Sequence, residues 1–185
     1  MDLIDASSVA SLHAAFKAAR AEFEAAVQVA DPRWEEQLLE PEDGGDEAWP
    51  AHMAAAHALI GERWRFRYLA HLIDTPEDGP LLTQQAFANL PSEHAELSER
   101  PARYESLSDA TTTLTAATEE WAIIDSVFAR FKETDLDREA DINPGQLSYL
   151  ASQGQPSERD VRSFLRLAAV HPRDHAQQLR SVLDR

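Results

Sequence analysis

The sequence predicts an all-α fold: a four-helix bundle with long connections between helices 2 and 3 and between helices 3 and 4. Two observations carry this. Four segments space their apolar residues in alternating steps of three and four, the mark of a helix with one buried stripe. No segment alternates apolar and polar residues as a half-buried strand does. At 185 residues the chain fits one domain, expected over 1–185, and is long enough to bury a core unaided.

In the first segment the stripe is Val9, Leu12, Phe16, Ala19, Phe23 and Ala26. Ser7 or Ser8 can cap its start, and Pro32 ends it, because a residue before proline avoids the α region. The acidic stretch "WEEQLLEPEDGGDEAWP" then reads as a solvated loop. Pro50 suits the first position of the second helix, whose stripe is Met53, His57, Ile60, Trp64, Tyr68 or Arg67, and His71. About thirty mixed residues follow, with a short helix in "PLLTQQAFANL". The third stripe is the cleanest: Ala110, Leu114, Ala117, Trp121, Ile124, Phe128 and Phe131. An acidic segment, "KETDLDREADINPG", leads to the fourth helix, where Ser157 and Asp160 resemble a capping box. Its stripe is Val161, Leu165, Ala168, His171, His175, Gln178 or Leu179, and Val182.

Composition limits the chemistry. Cysteine is absent, which removes disulfides and thiolate metal sites, so a transition-metal site must draw on His, Asp and Glu. The net charge of −16, from 33 acidic and 17 basic residues, argues against a phosphate-backbone partner, and no nucleic acid is expected. The start "MDLIDASSVA" has no basic n-region and no long apolar run, and nothing approaches a membrane span. A soluble cytoplasmic protein with no membrane partner is expected.

Helical geometry sorts the seven histidines. His171 and His175, four apart, share a face. His52 and His57 are about 140° apart around a helix, and the stripe selects His57. His71 lies about 21 Å further along, too far to share an ion with His57. His13 and His94 fall off the seams or in a loop. His57, His171 and His175 can therefore form a three-histidine metal site. Such a site suits Zn, Ni, Cu or Fe(II) better than Mg or Ca, and three protein ligands leave a position open, as in catalytic zinc centres. Spacing alone leaves open whether the pair on the fourth helix is core filler. Pro172 removes a helical hydrogen bond, yet the apolar period passes through it without a phase slip, so a kinked but continuous helix is the economical reading.

The segments "WPAHMAAAH", with Trp49 eight residues before His57, and "HPRDHAQQL", with two histidines four apart and an H-x-Q-type tail, resemble motifs of the DinB-like (YfiT-related) metal-binding family. "DLDRE" before the last helix is similar to a segment such proteins carry, and helix order and motif order match over nearly the whole chain. Pro172 departs from the family pattern. The resemblance implies a homodimeric four-helix bundle with a divalent metal, zinc or nickel first, on His57, His171 and His175. It also implies thiol transfer using bacillithiol or mycothiol, or isomerisation of maleylpyruvate.

The expected function is thus a metal-dependent S-transferase: the ion lowers the pKa of a low-molecular-weight thiol cosubstrate, whose thiolate attacks a small electrophilic substrate. A hydrolase using metal-bound water is a weaker version, because the sequence places no carboxylate beside the metal. A non-catalytic metal-binding or stress-response protein is the alternative from another class. Catalytic residues are not assigned. Asp125, one step off the third seam, is a candidate to accept a ligand N–H, against a solvated-face reading. "DLDREADINPGQ" alternates Asp135, Asp137, Glu139 and Asp141 as an EF-hand does, but Ala140 and Gln146 replace its glycine and its last carboxylate, and a solvated acidic connection is the natural reading. Trp34, Trp49, Trp64 and Trp121 serve a dimer face or the core.

Overall fold

The computed structural model describes residues 3–36, 49–76 and 79–182. They form seven α-helices: α1 (Val9–Ala30), α2 (Ala51–Asp74), α3 (Gln84–Ala88), α4 (Pro91–Ser106), α5 (Ala110–Phe128), α6 (Pro144–Ser152) and α7 (Val161–Ser181). Short 3-10 turns lie at Asp31–Arg33 and Glu133–Asp137. Among the described residues the only β pairing is an isolated bridge between Glu139 and Asp160, and the chain is all-α. The four longest helices pack in adjacent pairs, α1 on α7, α7 on α2, α2 on α5 and α5 on α1.

Three of these helices, α1, α5 and α7, start where the sequence supplies a side-chain acceptor for an orphan N–H. Of the two candidate serines, Ser8 caps α1: its hydroxyl accepts from Ser11 N at 3.0 Å, and Ser11 Oγ accepts from Ser8 N at 3.1 Å. Asp109 caps α5 through Thr112 N at 2.8 Å. Asp160 caps α7 through Ser163 N at 2.7 Å, but Ser157 takes no part; the Ser163 hydroxyl instead accepts from Glu158 N. Pro50 stands just outside α2 as its N-cap rather than at the first helical position. Before Pro32, α1 tightens into a 3-10 turn.

Phe16, Phe23, Phe66, Trp121 and Phe128 make the aromatic centre, with Phe16 and Trp121 edge to face at 5.5 Å. The α7 stripe is buried along its length, including both histidines, and the helix runs unbroken through Pro172. All four tryptophans pack on the core, Trp34 and Trp121 buried and Trp49 and Trp64 partly so.

The connections hold more structure than the sequence suggested. The segment between α2 and α5 contains a second helix, α4, whose buried side is polar: Glu93 accepts two hydrogen bonds from Arg67, and Glu96 accepts from Arg63 at 2.6 Å. Asn143 caps α6, a helix inside what was expected to be a long connection. In "DLDREADINPGQ" the carboxylates do not converge. Asp135 is buried and accepts from Lys132 N, Asp137 pairs with Arg162, and Asp141 accepts from Gln84 N. Most of the acidic loop expected after Trp34 (residues 37–48) lies outside the described residues. Among the described residues, no helix is long and apolar enough to cross a membrane.

Candidate metal centre

Helix α2 is alanine-rich where it faces its neighbours, with Ala51, Ala54, Ala55, Ala56 and Ala58 all buried. Small side chains leave room for imidazoles between helices. His57 from α2 meets His171 and His175 from α7, with ring centroids 5.3 and 5.2 Å away, and Trp49 lies against the His57 ring at 4.9 Å. One ligand atom from each histidine lies within 4.8 Å of the other two. His171 Nε2 and His175 Nε2 are 3.0 Å apart, a separation at which a shared proton or a shared cation holds two ring nitrogens together. The three-histidine set expected from spacing is brought together.

The opposite ring nitrogens all have partners. His171 Nδ1 is 2.9 Å from Glu62 Oε1, His175 Nδ1 is 2.8 Å from Gln178 Oε1, and His57 Nδ1 is 3.3 Å from the Tyr104 hydroxyl. Donation from Nδ1 of His171 and His175 to these oxygens leaves the Nε2 lone pairs free to ligate, and it fixes the ring orientations. The donor set fits a divalent transition ion: three imidazoles, tautomers set by hydrogen bonds and, among the described residues, no fourth protein ligand in the cluster.

Burial sets the protonation states. His171 and His175 are buried, and desolvation, assisted by Arg65 and the neighbouring imidazoles, drives His171 well below the ordinary range and His175 down to about 3. Glu62 is fully buried; desolvation raises its carboxyl to about 7 in spite of the Arg65 guanidinium hydrogen-bonded to Oε1. Its Oε2 has no partner among the described residues.

The centre opens on a cavity of about 540 Å³ lined by Arg65, Asn143, Gln146, Tyr149, Asp174 and Gln178 along with the three histidines. Tyr149 Oη donates to Asp174 Oδ2 at 2.9 Å, tying α6 to α7 over the site. Gly61 permits the crossing of α2 and α7: a Cβ there would stand 3.2 Å from His171 Cε1.

The other sequence candidates are elsewhere. Asp125 is not a support for the ligands; it pairs with His13 at 2.7 Å and with Arg20 at 3.1 Å, because α5 turns that position toward α1. His71 is exposed, 3.8 Å from Glu93, and His94 is exposed on α4 rather than in a loop. His52 lies by the Trp34 carbonyl, apart from the centre. Sequence reasoning missed Glu62, Tyr104 and Arg65. A glutamate flanked by buried Ala, Leu and Ile, with arginine three residues on, was a usable signal for the Glu62–Arg65 pair. Tyr104 gave none, since it arrives on the unforeseen α4.

No family model matches this chain, and no curated protein matches it. Among solved structures it is similar to the colibactin self-resistance protein ClbS, crystallised in complex with double-stranded DNA: TM-score 0.62, 16% identity, covering 97% of each chain. At that identity the likeness concerns the fold. It overturns the expectation of no nucleic-acid partner, because a protein of this fold has been crystallised on DNA. The reason is physical: net charge sums over the whole surface, whereas a nucleic acid meets one patch of it. Helix α7 carries Arg162, Arg166, Arg173 and Arg180 against Asp174 alone, within a chain of net charge −16.

Two outcomes are expected. Replacing Glu62 by Gln keeps the shape but weakens the hold on His171 Nδ1–H, and metal affinity measured by competition with a chromogenic chelator should fall roughly 10–100-fold. Acidification should destabilise the metal-free protein. Below pH 6.5 the unfolded chain takes up protons at His171 and His175 that the folded chain refuses, so stability present above 6.5 is lost as the pH falls. Glu62, with its folded value raised, works the other way between about 7 and 4.5, and the two histidines outweigh it, leaving a net loss as the pH falls. Urea midpoints between pH 6.5 and 5 should therefore fall less steeply in His175→Asn than in the parent.

Proposed function

We propose that this chain is a four-helix bundle of the DinB-like type and a metal-dependent enzyme, a thiol S-transferase with zinc or nickel held by His57, His171 and His175. The observation that supports this most directly is the convergence of the three imidazoles, their Nδ1 atoms already engaged, at the wall of a cavity large enough for a small molecule. A divalent ion there supplies Lewis acidity that favours the thiolate of a bound thiol near neutral pH.

The chain's own residues do the rest. With their depressed pKa values, His171 and His175 stay neutral at working pH, so protons do not compete for the ligand lone pairs. Glu62, Gln178 and Tyr104 keep the rings aimed. No cysteine is available as an internal nucleophile, so the sulfur comes from a cosubstrate: its thiolate forms the new C–S bond while the leaving group departs with the electron pair. Asp174 is the carboxylate of the cavity lining, the group the sequence could not place for a hydrolase, and it favours metal-dependent hydrolysis as the second reading.

Double-stranded DNA enters as a candidate partner from the ClbS complex, with the arginine face of α7 the first surface to test.

Thiol conjugation to an aryl halide should require both metal and thiol, fall at least 100-fold on chelation or in His175→Ala, and return with added metal. Full activity in metal-free protein and in His175→Ala would sink the reading. Tight metal binding without thiol turnover would favour hydrolysis or a non-catalytic metal protein. Separately, fluorescence anisotropy of a labelled duplex at low salt should show binding that weakens as salt rises and drops in Arg166→Glu; no binding at 50 mM salt would remove DNA from the partners.

A further inference from the structure

Of the residues lining the cavity beside the three histidines, Arg65 carries the only fixed positive charge. Its Nη1 is hydrogen-bonded to the buried Glu62 Oε1, and no other hydrogen bond of that guanidinium is made within the described residues. A guanidinium offers five N–H donors in a planar fork, so a single carboxylate partner on Nη1 leaves most of the fork unengaged. Most of the side chain is buried, which both fixes its direction and raises the value of an ionic contact made there.

The position of Arg65 relative to the metal ligands is fixed by two shared neighbours. Glu62 Oε1 accepts from both Arg65 and His171. A Cβ on Gly61 would stand 3.2 Å from His171 Cε1 and 3.6 Å from Arg65 Nη1, so the imidazole and the guanidinium flank the same glycine. Each of the other polar side chains of the lining has at least one partner within the protein. Asn143 Oδ1 accepts from Gln146 N, Gln146 Oε1 accepts from Asn143 N, Gln178 Oε1 holds His175, and Tyr149 and Asp174 hold each other.

We propose that Arg65 is the recognition site for an oxyanion on the ligand of this cavity, so that the site takes a small bifunctional molecule with one donor for the metal and a carboxylate or phosphate for Arg65. The inference rests on the metal-and-thiol reading of the same cavity and adds the class of ligand. Glu62 has two roles in it: its Oε1 orients His171, and it clamps Nη1 so that the rest of the fork is presented in one orientation. A forked pair of charge-assisted hydrogen bonds then discriminates an oxyanion from a hydroxyl of the same reach.

The test uses the full-length protein loaded with Co(II), in which a coordinated thiolate gives a charge-transfer band. 3-Mercaptopropionate and 3-mercaptopropan-1-ol, alike in reach and in thiol but one anionic and the other neutral at the far end, are titrated in parallel. In the parent the acid should bind at least tenfold more tightly than the alcohol. In Arg65→Met the ratio should fall to about one, with affinity for the alcohol retained. Should Arg65→Met fail to take up Co(II), Arg65→Lys keeps the charge without the fork, and the ratio should drop several-fold. Equal affinities in the parent, or a ratio unchanged in the variant that binds Co(II), overturn the proposal. If neither thiol gives the band, the thiol reading fails by itself, and Arg65 is judged by calorimetric titration with propionate and with inorganic phosphate. Binding that is lost in the variant sustains oxyanion recognition and tells carboxylate from phosphate; no binding of either by the parent overturns it.

Discussion

A buried carboxylate shared between two helices is the constraint on which the centre depends. Glu62 sits on α2 with no exposed surface, and its Oε1 accepts from His171 on α7 and from Arg65 one turn away on its own helix. Taking a carboxylate out of water is costly, and the cost is recovered only where charged or polar partners surround it. That makes the α2–α7 contact specific in a way hydrocarbon packing is not. A slide of either helix by one turn would leave the His171 Nδ1–H buried without its acceptor and Glu62 with Arg65 alone, a penalty of about 1–3 kcal/mol. The position of the imidazoles is thus set by electrostatics, within a space that Gly61 and the run of alanines on α2 leave open.

The third imidazole depends on a different kind of contact. His57 is only half-buried, and its Nδ1 is met by Tyr104 from α4. Helix α4 has little apolar surface of its own; it is held to α2 through Arg63 and Arg67, which engage Glu96 and Glu93, and Arg63 continues to Glu120 on α5. The pairs are linked, and their carboxylates are largely buried, so they hold better than isolated surface ion pairs would. One face of α2 therefore carries His57 while another carries the cations that bring α4, and with it Tyr104, to that imidazole.

What was legible in the sequence was whatever followed hydrophobic period. The stripe from Val161 to Val182 is buried as its spacing foretold, and the same period carried His171 and His175 inward and kept α7 continuous through Pro172. His57 was selected over His52 by the phase of its neighbours, and it is His57 that faces the pair. What period does not record is polar burial. Helix α4 was invisible because the residues it turns inward include Glu93 and Glu96, which count as solvent-facing in any apolar pattern. Glu62 was missed for the same reason. Asp125 was a candidate support for a ligand with a solvated face as the favoured reading; one step off a seam leaves two facing helices to choose between, and the packed structure shows that α1, with His13 and Arg20, takes it.

Net charge misled in a related way, by averaging what the fold separates. The chain's excess of acid is spread over α4, α5 and the connecting segments, while α7, which supplies two of the three imidazoles, carries four arginines and one aspartate. Two of those arginines are tied to acids on other elements, Arg162 to Asp137 and Arg173 to Glu22, so even the positive face is partly neutralised. Inside the cavity the separation is sharper. There the local field is set by Arg65, Asp174, Glu62 and any cation the histidines could hold, all at short range and in surroundings where solvent screens them weakly. A ligand entering that space responds to those few charges, and the surplus of surface carboxylates acts on it mainly during approach.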